Sequence, residues 1–149
     1  MRFRSEELYP DVMPCLEELR RAGYRIAVAG NHFADFTDTP RRMNLPLDFV
    51  GSWEEWGVEK PSPDFFTRIV QSLGEIAYVG DRIDNNVLPA QAVGMVSVFR
   101  PRGPWGLIQA RWPEAGQADI VSIRSPNCRP HCRRCLPAEV VSSQAVGEE

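Results

Sequence analysis

Two short segments of the sequence hold side chains whose types are suited to chemistry on a charged group. Lys60 is the only lysine among 17 basic residues, and it stands just before a predicted helix. Asp81 follows the clearest predicted strand after a single glycine, Gly80. An ammonium group suits an anion, and a carboxylate suits a hard cation such as Mg²⁺. The pair therefore suggests a phosphate group that is handled with magnesium.

A third segment, Gly30-Asn31-His32, ends another predicted strand and offers backbone N–H groups to an anion in a turn that glycine permits. Each segment also has a simpler interpretation. Gly80-Asp81 by itself is compatible with a strand-to-helix turn in which Asp81 caps the helix, and Gly30-Asn31 is a common turn dipeptide. His32 is typical of a loop, and Lys60 taken singly is typical of a surface. Only the three segments together favour a phosphate site.

The elements that must position these residues alternate along the chain. Apolar spacing predicts helices over residues 11–22, 34–43, 63–73 and 85–93, and strands over residues 24–29, 48–50, 76–79, 95–99 and 118–123. Such alternation predicts a parallel α/β sheet with helices on both faces. Ligands of these sheets bind beyond the carboxyl ends of the strands, where Asn31 and Asp81 fall.

Composition excludes several classes of protein. With 149 residues, 43% hydrophobic residues and a net charge of -3, the chain has the make-up of one globular domain without a general footprint for nucleic acid. It has no apolar run of the roughly 18 residues that a membrane helix needs. Residues 1–7 are too charged for a secretory signal, so we expect a cytoplasmic protein. We assign residues 1–124 to the domain and residues 125–149 to a Cys- and Arg-containing tail that we expect to be disordered.

From Leu8 to about Ile123, the sequence resembles the haloacid dehalogenase-like hydrolases, which are mostly magnesium-dependent phosphatases on a doubly wound, Rossmann-like α/β core. The resemblance lies in four segments: Leu8 to Val12, the strand from Tyr24 to Asn31, the lysine segment Glu59 to Phe66, and the acidic segment Tyr78 to Asn86. The lysine and acidic segments, joined by one helix, are the most specific of the four.

The resemblance implies a role for each matching residue. Asp81 would bind Mg²⁺ directly or through water, and Asn86 stands where the family usually has a second acidic ligand. Lys60 would neutralise phosphoryl oxygens, and the turn at Gly30 and Asn31 would donate hydrogen bonds to the phosphate, although the family usually has serine or threonine in place of Gly30. Such cations are needed because a carboxylate is repelled by a phosphate dianion. The implied substrate is a small phosphorylated molecule that the sequence does not identify.

The Asp-x-Asp segment that opens the family pattern, and supplies its nucleophile, has no counterpart in this sequence. Asp11, the nearest aspartate before the second motif, stands at a predicted helix start rather than after a buried strand. The strand that carries this segment lies at the centre of the family's sheet, between the strands that here end at Asn31 and Gly80. Without it, two buried strand edges would be unpaired or would have to pair directly.

Two interpretations follow. The chain is either a shortened phosphatase, which we favour, or a degenerate relative with a rebuilt sheet. In both cases we expect a haloacid dehalogenase-like phosphatase that is inactive as this chain, because Lys60 and Asp81 position a phosphate but do not attack it. The alternative is a non-catalytic module that binds phosphate or a protein partner, for example one that supplies the absent strand. A lesser alternative is zinc binding by four tail residues, Cys128, His131, Cys132 and Cys135, although four ligands within eight residues are cramped for a structural site.

Overall fold

The computed structural model describes residues 8–32, 37–122 and 139–142. The helices are α1 (Val12–Arg21), α2 (Thr39–Arg42), α3 (Trp53–Trp56), α4 (Pro63–Leu73), α5 (Leu88–Ala92) and α6 (Gly103–Gln109). The strands are β1 (Arg25–Gly30), β2 (Phe49–Ser52), β3 (Ala77–Gly80), β4 (Val96–Phe99), β5 (Ile120–Val121) and β6 (Glu139–Ser142). A wide π-type turn (Ile83–Val87) leads into α5, and a 3₁₀ turn (Pro113–Gln117) precedes β5.

The six strands form one parallel sheet in the order β2-β1-β6-β3-β4-β5. Side chains of β1 alternate between two clusters of buried residues. Ala27 and Ala29 pack with α4 on one face, whereas Ile26 and Val28 pack with α1 on the other. The sequence prediction of a parallel α/β sheet with helices on both faces is therefore confirmed.

Local sequence explains where α4 begins. Ser62 caps α4 by accepting a hydrogen bond from the Asp64 N–H at 3.3 Å, and Pro63 occupies the first turn, where no N–H donor is needed. On the apolar face of α4, Phe65, Phe66 and Ile69 are fully buried. This packing holds the loop with Lys60, which directly precedes α4, at the carboxyl edge of the sheet.

The centre of the sheet differs from the expectation of a tail outside the domain. Residues 139–142, which we assigned to that tail, form β6 and lie between β1 and β3. Val141 of this strand pairs with Ala27 on one side and Tyr78 on the other. The edges of β1 and β3 that face each other are thus both paired, because the four residues of β6 take the place of the family's central strand. This arrangement gives no support to a partner that supplies the strand.

Other parts of the expected tail, with Cys128, His131, Cys132 and Cys135, lie outside the described residues, and so does part of the helix predicted over residues 34–43. The described remainder of that helix is the single turn α2. The apolar spacing did not predict α3 or α6, which contain Trp53, Trp56 and Trp105. No helix in the described part of the chain combines the length and apolar character needed to cross a membrane.

Candidate phosphate and metal site at the strand ends

Lys60 and Asp81 lie on the same edge of the sheet and are joined through one buried side chain. The Lys60 ammonium donates a hydrogen bond to Asn86 Oδ1 at 2.9 Å, and Asn86 Nδ2 donates to Asp81 Oδ1 at 3.2 Å. Asn86 is only 1% exposed, so its amide is held in place by packing. The cation and the carboxylate that sequence analysis singled out are thus brought together, with Asn86 as the group that links them.

Asn31 reaches this cluster in a way that the sequence did not indicate. Its Oδ1 accepts a hydrogen bond from the backbone N–H of Lys60 at 2.8 Å, and its Nδ2 donates to the Lys60 carbonyl oxygen at 3.1 Å. The end of β1 is therefore clamped to the backbone of the lysine loop. In this arrangement the Asn31 side chain orients Lys60, which leaves the backbone of the Gly30–Asn31 turn as the expected donor to an anion. Asn31, Lys60, Asp81 and Asn86 are called the strand-end cluster below.

The wide turn after β3 explains why Asn86 returns to the strand end. The N–H groups of Asn86 and Val87 both donate to the carbonyl oxygen of Arg82, which widens the first turn of the following helix. Asn86 then packs onto Gly80. A Cβ built on Gly80 would lie 2.7 Å from Asn86 Cγ and 2.9 Å from Nδ2, closer than carbon and nitrogen atoms can pack. Glycine at position 80 is thus a steric requirement of the cluster.

Asp84, which offers a second carboxylate in the acidic segment, is directed elsewhere. It accepts hydrogen bonds from Arg82 Nε at 3.1 Å and Nη2 at 2.8 Å, and from Gln109 Nε2 at 2.9 Å. The hydrogen bonds from the Arg82 side chain are the largest cause that lowers the pKa of Asp84 below its ordinary value of 3.8. Asp84 therefore braces the outside of the wide turn.

Gln109 is a positioning residue that sequence analysis missed. This fully buried side chain of α6 accepts a hydrogen bond from the Ile83 N–H at 2.5 Å while donating to Asp84. It holds the turn that carries Asn86. A glutamine within a segment interpreted as a connection gave no signal for this role.

Asp11, the aspartate considered as a nucleophile, stands at the start of α1, as predicted. Its carboxylate is 14% exposed and lies 2.7 Å from Arg102 Nη2 and 3.4 Å from Arg100 Nη2. Arg102 also stacks on Tyr9, 4.2 Å from the ring centroid. Through these arginine contacts, Asp11 connects α1 to the segment after β4.

Comparisons with known proteins found a matching family model and several similar proteins. The family model described as haloacid dehalogenase-like hydrolase matches residues 2–94, which is more than half of the chain. A glyceraldehyde 3-phosphate phosphatase from Methanopyrus kandleri is 36% identical over 117 residues, covering 74% of this chain and 50% of that protein. A ribulose-1,5-bisphosphate 5-phosphatase from Halopiger xanaduensis is 33% identical over 103 residues, covering 62% of this chain and 41% of that protein.

Among solved structures, the crystal structure of a HAD phosphatase from Thermococcus onnurineus superposes with a TM-score of 0.64 at 26% sequence identity. The superposition covers 76% of this chain and 52% of that protein. The chain thus spans about half the length of the relatives that it matches.

Proposed function

Since the chain belongs to the haloacid dehalogenase-like hydrolases, we propose that it binds the phosphate group of a small phosphorylated molecule at the strand-end cluster, together with Mg²⁺, and does not hydrolyse it. The observation that carries this proposal is the hydrogen-bonded connection from the Lys60 ammonium through Asn86 to Asp81. It supports the proposal because a positive and a negative side chain that share one hydrogen-bond partner can both contact the same small ligand at the carboxyl edge of the sheet, where parallel α/β proteins bind ligands.

Lys60 supplies the charge in this proposal. Its backbone is held by Asn31 and its ammonium by Asn86, so little side-chain freedom remains to be lost when a phosphate binds. The backbone N–H groups of the Gly30–Asn31 turn are the second source of donors. Together they offset the charge of a phosphate dianion at one end of the cluster.

The residues present fit magnesium when the ligand completes the site. Mg²⁺ is commonly held by one or two carboxylates, with water and phosphate oxygens as its other ligands. Asp81 is one such carboxylate, whereas the Oδ1 atom of Asn86 is turned to Lys60. Among the described residues, no group of three or more His, Cys, Asp or Glu side chains is arranged to hold a metal. Asp81 would therefore hold Mg²⁺ jointly with the phosphate, and the bound ion would add positive charge to the phosphoryl oxygens.

The proposed absence of hydrolysis rests on the nucleophile. The family uses an aspartate that takes up the phosphoryl group, which water then releases as phosphate. This aspartate belongs to an Asp-x-Asp segment, and the sequence contains none. Asp11 is paired with two arginines at the start of α1. For the substrate class we propose a small phosphorylated carbohydrate, since the relatives named above include phosphatases of glyceraldehyde 3-phosphate and ribulose-1,5-bisphosphate.

Calorimetric titration of inorganic phosphate into the full chain, with and without Mg²⁺, tests the proposal. We expect binding that Mg²⁺ strengthens and that Lys60→Met weakens at least tenfold, because a charge-assisted hydrogen bond contributes about 1.5–3 kcal/mol. Arg21→Met is a matched control, since Arg21 is exposed at the far end of α1 and pairs only loosely with Glu17, at 3.7 Å. A parallel assay with p-nitrophenyl phosphate should give no turnover. Hydrolysis that disappears in Asp81→Asn would show that a nucleophile is present and would refute the non-catalytic part of the proposal.

A further inference from the structure

The His32 side chain folds back over the end of β1. A Cβ built on Gly30 would lie 2.6 Å from His32 Nε2 and 2.7 Å from Cδ2. Both distances are well inside van der Waals contact, so the imidazole occupies the space that any side chain at position 30 would need. Glycine at position 30 and the position of the His32 ring therefore depend on each other.

This position places a ring nitrogen at the carboxyl edge of the sheet. Gly30 is the last residue of β1 and is buried, and the next residue, Asn31, clamps the backbone of Lys60. The ring and the lysine loop thus flank the same turn. An imidazole can donate a hydrogen bond from a ring N–H, and when it is protonated both ring nitrogens donate. A donor on this turn, which Asn31 bonds to the backbone of Lys60, suits an anion.

We propose that the His32 imidazole is a phosphate-contacting group of the strand-end site, and that it supplies from position 32 the donor that Gly30 lacks. This inference rests on the proposed function, since it adds a residue to the same anion site. The ligand it addresses is a phosphoryl group, the anion that the neighbouring Lys60 also serves. His32 takes part in binding only, and no proton transfer is assigned to it.

Phosphate titrations of four variants test this inference. His32→Ala should weaken the binding of inorganic phosphate about tenfold, whereas His32→Gln, which keeps an N–H donor of similar reach, should restore most of the affinity. Gly30→Ala should also weaken binding, because its methyl group displaces the ring. In the double variant, Gly30→Ala should add no further loss to that of His32→Ala, which is the signature of two changes that act through one group.

A spectroscopic measurement reports contact directly. The sequence contains two histidines, His32 and His131, so His32→Gln assigns the imidazole resonances in the NMR spectrum. We expect the His32 Cε1–H signal to shift as phosphate is added, and the His131→Gln variant to retain both this shift and full phosphate affinity. Circular dichroism of each variant verifies that it is folded.

The outcomes separate this inference from the proposed function. If Lys60→Met weakens phosphate binding while His32→Ala leaves it unchanged, the role of His32 is refuted and the strand-end site stands. If the unaltered chain does not bind phosphate at millimolar concentration, both are refuted. Independent losses from Gly30→Ala and His32→Ala would also refute the inference, since the ring would not be the group that glycine accommodates.

Discussion

The strand-end cluster and the centre of the sheet are assembled in different ways. Three residues of the cluster lie at the two ends of one helix–strand unit: Lys60 precedes α4, and Asp81 and Asn86 follow β3, the next strand after α4. The centre of the sheet is held by backbone pairing with β6, which lies more than 50 residues beyond β3 in sequence. Lys60, Asp81 and Asn86 thus come from one helix–strand unit, whereas closure of the sheet under them depends on a segment much farther along the chain.

This difference teaches where the chain is sensitive to change. β6 pairs over four residues with β1 and over three with β3, so among the described strands it supplies the backbone pairing across the middle of the sheet. The cluster also bridges the two halves, since Asn31 at the end of β1 is bonded to the backbone of Lys60. Loss of β6 should therefore reduce the stability of the whole fold, whereas a change within the cluster should act mainly on the ligand.

The largest effect is expected from Val141→Pro. Val141 is an inner residue of β6 with a neighbour on each side, and proline there removes an N–H donor and cannot be accommodated in a central strand. We expect the free energy of unfolding to fall by roughly 3 kcal/mol or more, measured by urea denaturation.

Val121→Pro is the matched control for this variant, because it makes the same change at an exposed residue of β5, the strand at the edge of the sheet, where proline is tolerated. It should lower the urea midpoint much less than Val141→Pro does. Equal midpoints for Val141→Pro and the unaltered chain would mean that β6 does not support the sheet.

The second effect tests the packing of the cluster. Gly80→Ala places a methyl group against the Asn86 side chain, and the resulting overlap should cost about 2 kcal/mol of stability. It should also weaken phosphate binding, since Asn86 is pushed away from the Lys60 ammonium. Gly116→Ala is the control, because a Cβ at position 116 has open space around it and should change stability by less than about 0.5 kcal/mol. Unchanged stability and affinity in Gly80→Ala would contradict the close packing of Asn86 on the strand end.

The third effect sharpens the role of Asn86 as the link. Asn86→Asp puts a second carboxylate beside Asp81, where Asn86 Nδ2 now lies 3.2 Å from its Oδ1. Two carboxylates so close repel each other without a cation and favour a divalent ion. We expect Mg²⁺ affinity to rise about tenfold, or ~1.4 kcal/mol, in a calorimetric titration.

Asp84→Asn is the companion variant, since Asp84 belongs to the same turn but bonds to Arg82 and Gln109 instead. It should leave Mg²⁺ affinity unchanged. A similar response of the metal to both variants would mean that the ion does not distinguish the cluster from the outside of the turn.

The same contrast explains what the sequence could and could not predict. The helix after Lys60 and the strand before Asp81 could be predicted, because a capped helix and a strand followed by Gly80 have strong local signals. The structure brings the two side chains together. The strand β6 could not be predicted, since a short stretch such as Glu139–Ser142 has no local feature that selects one site in a sheet. The clamp by Asn31 and the contact of Gln109 likewise join residues more than 20 positions apart, so no spacing pattern signals them.

The smallest effect concerns the edge of the sheet farthest from β2. The Asp119 carboxylate accepts hydrogen bonds from the backbone N–H and the hydroxyl of Ser97 at 2.8 and 2.9 Å, and thereby ties the start of β5 to β4. The bond from the Ser97 N–H is the largest cause that holds the pKa of Asp119 below its ordinary value of 3.8. Because the folded-state pKa is lowered, this stabilisation is present above about pH 4 and is lost as the pH falls through the folded-state pKa.

Asp119→Asn should lower the free energy of unfolding by only about 0.5 kcal/mol at pH 7, since the site is open to solvent. The difference from the unaltered chain should shrink below pH 3.8. Asp38→Asn, at an exposed position whose side chain makes no capping bond, should leave the free energy of unfolding at pH 7 unchanged. A difference between Asp119→Asn and the unaltered chain that stayed constant down to pH 2 would mean that the charge on Asp119 contributes nothing to the tie between β4 and β5.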